Sequence, residues 1–156
     1  KVLLSKAPKL PLKAYDDLGT FKLYTLDLGV LRKLSELDAS ILLLPTPAYT
    51  EYKGALAENY ILQSLTAQFQ MPFRYWTSGN KAEVDFLLQY INQIYPIEVK
   101  ADQNIQGKSL IQYEKLFQPA CRIRYSMLNL KQDGNLLNIP LFLADKTREL
   151  LGVINV

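Results

Sequence analysis

The sequence predicts an α/β domain whose core runs helix, three strands, helix, strand, forming a mixed sheet flanked by helices. Three patterns lead there. Within Gly54–Gln70, Ala55, Glu58, Leu62, Leu65 and Phe69 recur at alternating spacings of three and four, the period of an amphipathic helix. Within Ala82–Ala101, Val84, Phe86 and Leu88 alternate with Glu83, Asp85 and Leu87. Beyond a turn, Tyr95, Ile97 and Val99 alternate with Pro96, Glu98 and Lys100. Period two on both sides of a turn predicts a hairpin. Gly107-Lys108-Ser109 then opens a helix to about Phe117, with Leu110, Tyr113, Leu116 and Phe117 on its apolar face, before the alternating segment Arg122–Leu130. A right-handed crossover through that helix predicts a parallel pairing of the Glu98 and Arg122 strands.

The other elements follow in chain order. Lys6–Leu18, rich in Pro and Lys, reads as an extended lead-in, so residues 1–20 are expected to be a linker from an upstream domain and 21–156 the folded domain. Phe21–Thr25 reads as a short strand, and Leu28–Leu37 has helical spacing in Val30, Leu31, Leu34 and Leu37. Pro45 and Pro47 bracket the entry to the long helix, with the Thr46 hydroxyl as its expected cap. Met71-Pro72 ends that helix, Phe73–Trp76 forms a strand, and Ser78-Gly79-Asn80 turns into the hairpin. Asp133-Gly134 is a turn, Ile139–Leu143 a last strand and Thr147–Leu151 a closing helix.

Composition narrows the chemistry. The chain has 156 residues, 49% hydrophobic and 21% charged, with a net charge of +3, which suits one globular domain. Ile41-Leu42-Leu43-Leu44 is stopped by Pro45 well short of a membrane span, and Lys1-Val2-Leu3-Leu4 is too short for a signal sequence. No membrane contact and a cytoplasmic location are therefore expected. Cys121 is the sole cysteine and there is no histidine, which excludes an internal disulfide, a cysteine–zinc cluster and histidine acid–base chemistry. A hydrolytic metal would have to be held by oxygen. No G-x-x-x-x-G-K-[ST] phosphate loop occurs, so any ATP site lies outside this chain. Lys1, Lys6, Lys9 and Lys13, and later Arg122, Arg124 and Lys131, could meet phosphates or simply be solvated. Tyr75 and Trp76 fit a core better than a base-stacking platform.

The charged residues of the hairpin are where chemistry is expected. With the turn centred on the Ile91–Asn92 bond, Asp85 lies opposite Glu98 and Glu83 opposite Lys100, all on one face. Directly opposed side chains have Cβ atoms about 4.5–5.5 Å apart, where like charges repel. A hard divalent cation would compensate such a pair, with Lys100 adding fixed positive charge. Glu58, in the buried stripe of the long helix, is costly there unless paired. Leu56, Tyr60 and Ile61 make the helix apolar over a wide arc, so Glu58 is either a polar edge of that arc or, as expected here, the third acid facing the same cation.

A helix with an inward Glu, a strand carrying Val84-Asp85-Phe86 and then Ile97-Glu98-Val99-Lys100 together resemble the PD-(D/E)XK nuclease superfamily, with its restriction-endonuclease-like fold. Lys9-Leu10-Pro11-Leu12, Phe21-Lys22-Leu23-Tyr24, Asp27-Leu28-Gly29-Val30-Leu31, Gly54…Glu58-Asn59, Tyr75-Trp76, Glu83-Val84-Asp85-Phe86 and Pro96-Ile97-Glu98-Val99-Lys100 more narrowly resemble the C-terminal domain of unknown function carried by many bacterial and archaeal AAA-type ATPases. The resemblance implies that Asp85, Glu98, Glu58 and the Val99 carbonyl hold Mg²⁺ or Mn²⁺, with Lys100 beside the attacking water. The sequence departs from the superfamily pattern in having Val84, not proline, before Asp85. Two functions are implied: metal-dependent phosphodiester hydrolysis of nucleic acid in the service of an upstream ATPase domain, or a catalytically inactive nuclease fold kept as a DNA- or protein-binding module.

Overall fold

The computed structural model describes residues 1–36, 47–79, 81–102 and 107–154. Among these residues eight strands form one mixed sheet: β1 (Val2–Ser5), β2 (Asp16–Lys22), β3 (Arg74–Thr77), β4 (Glu83–Tyr90), β5 (Gln93–Val99), β6 (Arg122–Ser126), β7 (Lys131–Asp133) and β8 (Leu136–Pro140). Their order across the sheet is β2-β1-β3-β4-β5-β6-β8-β7. Among the described residues four α-helices flank it: α1 (Leu28–Leu34), α2 (Pro47–Phe69), α3 (Lys108–Phe117) and α4 (Thr147–Ile154). The mixed α/β class and the order helix, three strands, helix, strand agree with the sequence reading.

The hairpin has the expected register from the turn as far as Phe86 and Ile97, while the expected pairings of Asp85 with Glu98 and of Glu83 with Lys100 do not form in the ladder. Phe86 pairs with Ile97, Leu87 with Pro96 and Tyr90 with Gln93, centred on Ile91–Asn92. Both turn residues have positive φ, 45° and 58°, the conformation that lets a two-residue loop follow the strand twist. Asn tolerates that region; Ile91, β-branched, is strained in it. The crossover through α3 leaves β5 and β6 parallel, with Glu98 beside Arg124.

The sheet separates two cores. On one face Ile61 and Leu65 of α2 and Leu151 of α4 pack against Phe86, Leu88, Ile97, Val99, Ile123 and Tyr125. On the other, Leu110 and Tyr113 of α3 meet Leu12, Trp76, Val84 and Leu87. Trp76 stacks edge-on against Tyr113 and Phe117, and Tyr75 is buried in the opposite core, so both aromatics are core residues.

Several boundaries differ from expectation. Residues 1–20, expected as a linker, supply β1 and most of β2, with Val2 and Leu12 buried. Arg74 explains why so polar a segment is held: its guanidinium clamps Asp16 bidentately, from Nε to Oδ1 at 2.8 Å and from Nη2 to Oδ2 at 2.9 Å. The strand expected at Phe21–Thr25 ends at Lys22, because Thr25 turns to bond Asn59. The strand expected at Ile139–Leu143 is β8, ending at Pro140, where the chain enters a 3₁₀ turn over Leu141–Lys146. The Thr46 cap, Leu37 and Asn80 lie outside the described residues.

Candidate functional site

Asp85 sits where the ladder between β4 and β5 gives out. Leu87 faces Pro96, which has no N–H, so residues 85, 87 and 89 occupy non-hydrogen-bonded positions and the next bonded pair would be Val84 with Val99. That pair is displaced. Pairing between β3 and β4 shifts between Arg74 and Trp76: Arg74 aligns with Leu87 but Trp76 with Val84, which leaves one extra residue on β4. The bulge puts Val84 in the α3-side core and Phe86 in the α2-side core. The strict alternation expected for Val84, Phe86 and Leu88 breaks at Asp85. The Asp85 carboxylate then accepts the orphaned Val99 N–H at 2.7 Å.

Glu58 is half-buried, at the edge of the helix stripe and not at its centre; Ala55 is exposed, and the buried line runs through Ile61 and Leu65. A helix apolar over so wide an arc cannot be oriented by periodicity alone. Its carboxylate accepts the Tyr24 hydroxyl at 2.9 Å. The neighbouring Asn59, 2% exposed, accepts the Thr25 N–H at 2.9 Å and pins the Tyr24–Thr25 segment to α2. Glu83 pairs with Lys22, not with Lys100 as the hairpin register suggests. Lys22 reaches it across the sheet from β2, passing over the Tyr75 ring.

Glu98 and Lys100 share a face, opposite Ile97 and Val99, as read from the sequence. Lys100 Nζ lies 3.0 Å from Glu98 Oε1. Glu98 is 2% exposed, and its Oε2 is buried without a hydrogen-bond partner among the described residues. The acids thus form two adjoining groups: Glu58, Asp85 and Glu83 with Tyr24 and Lys22, and Glu98 with Lys100, meeting at the Val99 backbone.

The charges act on one another. Burial and then the Glu58 charge, with a smaller push from Glu98, raise the Asp85 carboxyl to about 7, against the opposing Val99 bond and Lys22 charge. Burial and the Glu58 carboxylate drive the Tyr24 hydroxyl upward, so it remains a donor. Burial alone would lower Lys22, but its bond to Glu83 and the Glu83, Glu58 and Asp85 charges outweigh that and raise it. Among the described residues no group of three or more His, Cys, Asp or Glu side chains is arranged to hold a metal ion. The donor chemistry nevertheless fits a hard cation: every candidate ligand is oxygen, the acids repel, and one buried carboxylate oxygen has no partner among the described residues.

A family model described as Domain of unknown function (DUF4143) matches residues 53–142, more than half of the chain. The chain belongs to that family. The match covers Glu58, Asp85, Glu98 and Lys100, while Lys22 and Tyr24 of this DUF4143 chain precede it. Neither the curated proteins nor the solved structures yield a match.

Sequence reasoning missed Lys22, Tyr24 and Asn59 as parts of the site, although all three stand in segments that carry the family resemblance. The available signal was Asn59, a polar residue adjoining an inward Glu. Arg122, read as meeting phosphate or simply being solvated, does neither: it is buried against Glu114 and Asn135. Among the described residues no helix is long and apolar enough to cross a membrane.

Proposed function

We propose that this DUF4143 domain is a divalent-cation-dependent phosphodiesterase acting on nucleic acid, built on a restriction-endonuclease-like core and serving an AAA-type ATPase domain in the cytoplasm. The observation that carries the reading is Glu98: fully buried, with one oxygen on Lys100 and the other unpartnered, beside an Asp85 that Glu58 crowds with like charge. A fold seldom retains uncompensated buried carboxylates without a use for them. Asp85, Glu98, Glu58 and the Val99 carbonyl are the groups that would hold Mg²⁺ or Mn²⁺. Such an ion, when bound, polarises a phosphate and acidifies water.

The chain's own groups have distinct tasks. Lys100, a third exposed at the edge of the buried carboxylate, presents its ammonium to an incoming phosphate and to negative charge developing on it. Glu98 fixes that ammonium in place. The Val99 N–H holds the Asp85 carboxylate by a bond to Oδ2. Tyr24 donates to Glu58 Oε2 and keeps that acid from turning away into solvent.

Incubation of supercoiled and single-stranded DNA, and of RNA, with Mn²⁺ tests the reading. The wild type should cleave at least one of them, with Asp85→Asn and Lys100→Ala each reduced roughly a hundredfold or more. Cleavage that survives in both variants would remove these residues from the mechanism. A second reading, a non-catalytic DNA- or protein-binding module, is favoured by the absence of a closed three-acid group among the described residues. It predicts nucleic-acid or partner binding with no cleavage in Mn²⁺.

A further inference from the structure

We propose that Lys22, held on Glu83, is a tethered counter-ion of the adjoining acid cluster, so that its ammonium and a divalent cation compete to compensate the same negative charge. This rests on the cluster being a cation site.

Lys22 is the last residue of β2, paired with Val2 of β1, and β1 and β3 both lie between it and β4. Its side chain runs across them, with Nζ 5.1 Å from the centre of the Tyr75 ring, to contact Glu83 at the start of β4. A flexible lysine that spans two strands, with only 27% of its side chain exposed, is held at considerable entropic cost. What holds it is charge. It contacts Glu83, and the Glu58 and Asp85 carboxylates draw on it through charge without contact, so one ammonium faces three acids. On the next strand, in the adjoining group, Lys100 meets only one oxygen of Glu98 and leaves Oε2 without a partner among the described residues.

An ammonium and a hard divalent ion make similar demands: oxygen partners, compact charge and no softer ligand. The ion carries twice the charge and is the better compensator. Lys22 is suited to yield because it lies at the end of an edge strand with part of its side chain already in solvent. The lysine would keep the acids from springing apart when no metal is bound, then move outward as the ion enters, where its charge can meet a phosphate.

Calorimetric titration of Mn²⁺ into the wild type, Lys22→Met and Lys22→Arg tests the competition without reference to cleavage. Lys22→Met should bind Mn²⁺ on the order of tenfold more tightly, since a like charge at close range is removed. It should also melt at a lower temperature than the wild type without metal and recover when metal is added. Lys22→Arg, which keeps the charge, should show no gain in affinity. If the wild type binds Mn²⁺ and Lys22→Met binds it no more tightly, the inference falls and the cation site stands. If no form binds, both fall. Should Lys22→Met fail to fold, acylation of the wild type by an amine-reactive ester decides the matter. Lys22 should be modified slowly without metal and faster at saturating Mn²⁺, and an unchanged rate overturns the competition.

Discussion

Two buried ion pairs in this molecule are built on opposite principles. Arg74 and Asp16, with side chains 7% and 11% exposed, satisfy each other completely: two parallel bonds join guanidinium to carboxylate, and Arg74 Nη1 donates a third to the Pro72 carbonyl at 2.8 Å. Glu98 and Lys100 share one contact, leave Oε2 of Glu98 orphaned and let Lys100 reach solvent at 33% exposure. The first pair fastens the edge strand β2 to β3. The second leaves charge only partly compensated. A buried charge that is fully bonded contributes to the fold, whereas one left half-bonded is costly and calls for another explanation.

The largest expected effect comes from breaking the satisfied pair. Arg74→Met would leave the Asp16 carboxylate buried and unbonded, at a cost of about 3–5 kcal/mol, because the penalty is that of an uncompensated charge and not of the lost pair. Urea unfolding of the variant measures it. A loss below about 1 kcal/mol would mean that water reaches Asp16 readily and that the clamp fastens little.

Next in size is Asp85, which belongs to the unsatisfied group. Its carboxyl is raised to about 7 by burial and by Glu58. Between the ordinary carboxylate range and about pH 7 the folded protein therefore keeps a proton that the unfolded chain has released. Stability should fall as pH rises through that window and level off above it. Asp85→Asn removes the titration while keeping an acceptor for the Val99 N–H. The variant should be more stable than the wild type by roughly 1–3 kcal/mol at pH 8, and the advantage should vanish near pH 4. Denaturation midpoints of both proteins across that range check the sign. An Asn variant less stable at pH 8 would show that the carboxylate is compensated after all.

The same contrast explains how much of the molecule was legible in the sequence. The hairpin was, because Pro96 and the alternating apolar residues leave one register that buries them, and a one-residue slip would expose both strands. Parallel β5 and β6 followed from the length and amphipathicity of α3 between them. The bulge at Asp85 was not, since it answers to β3, whose register is a tertiary matter. Residues 1–20 were misread because prolines and lysines resemble a linker locally, while the partner that orders them, Arg74, lies 58 positions from Asp16. Lys22 and Tyr24 were overlooked for a similar reason: nothing local marks a lysine whose carboxylate lies across two strands, or a tyrosine whose acceptor is Glu58 on α2, 34 positions away. The E-x-K pair was visible because both members lie on one strand.

The smallest expected change in stability sharpens the contrast most. Glu98→Gln keeps the shape, removes the buried charge and leaves an amide that Lys100 can still donate to through its oxygen. Taking an ion out of a site that bonds only one of its two oxygens relieves desolvation about as much as it forfeits attraction. The midpoint of urea unfolding should therefore move by no more than about 1 kcal/mol in either direction. Mn²⁺ binding by calorimetry should weaken markedly in the same variant. A substitution that hardly alters stability and yet removes cation affinity separates a functional carboxylate from a structural one. Were Glu98→Gln to cost as much as Arg74→Met, the Glu98–Lys100 contact would be a fastening like the Arg74–Asp16 pair, and the unpartnered oxygen would have to be satisfied by ordered water.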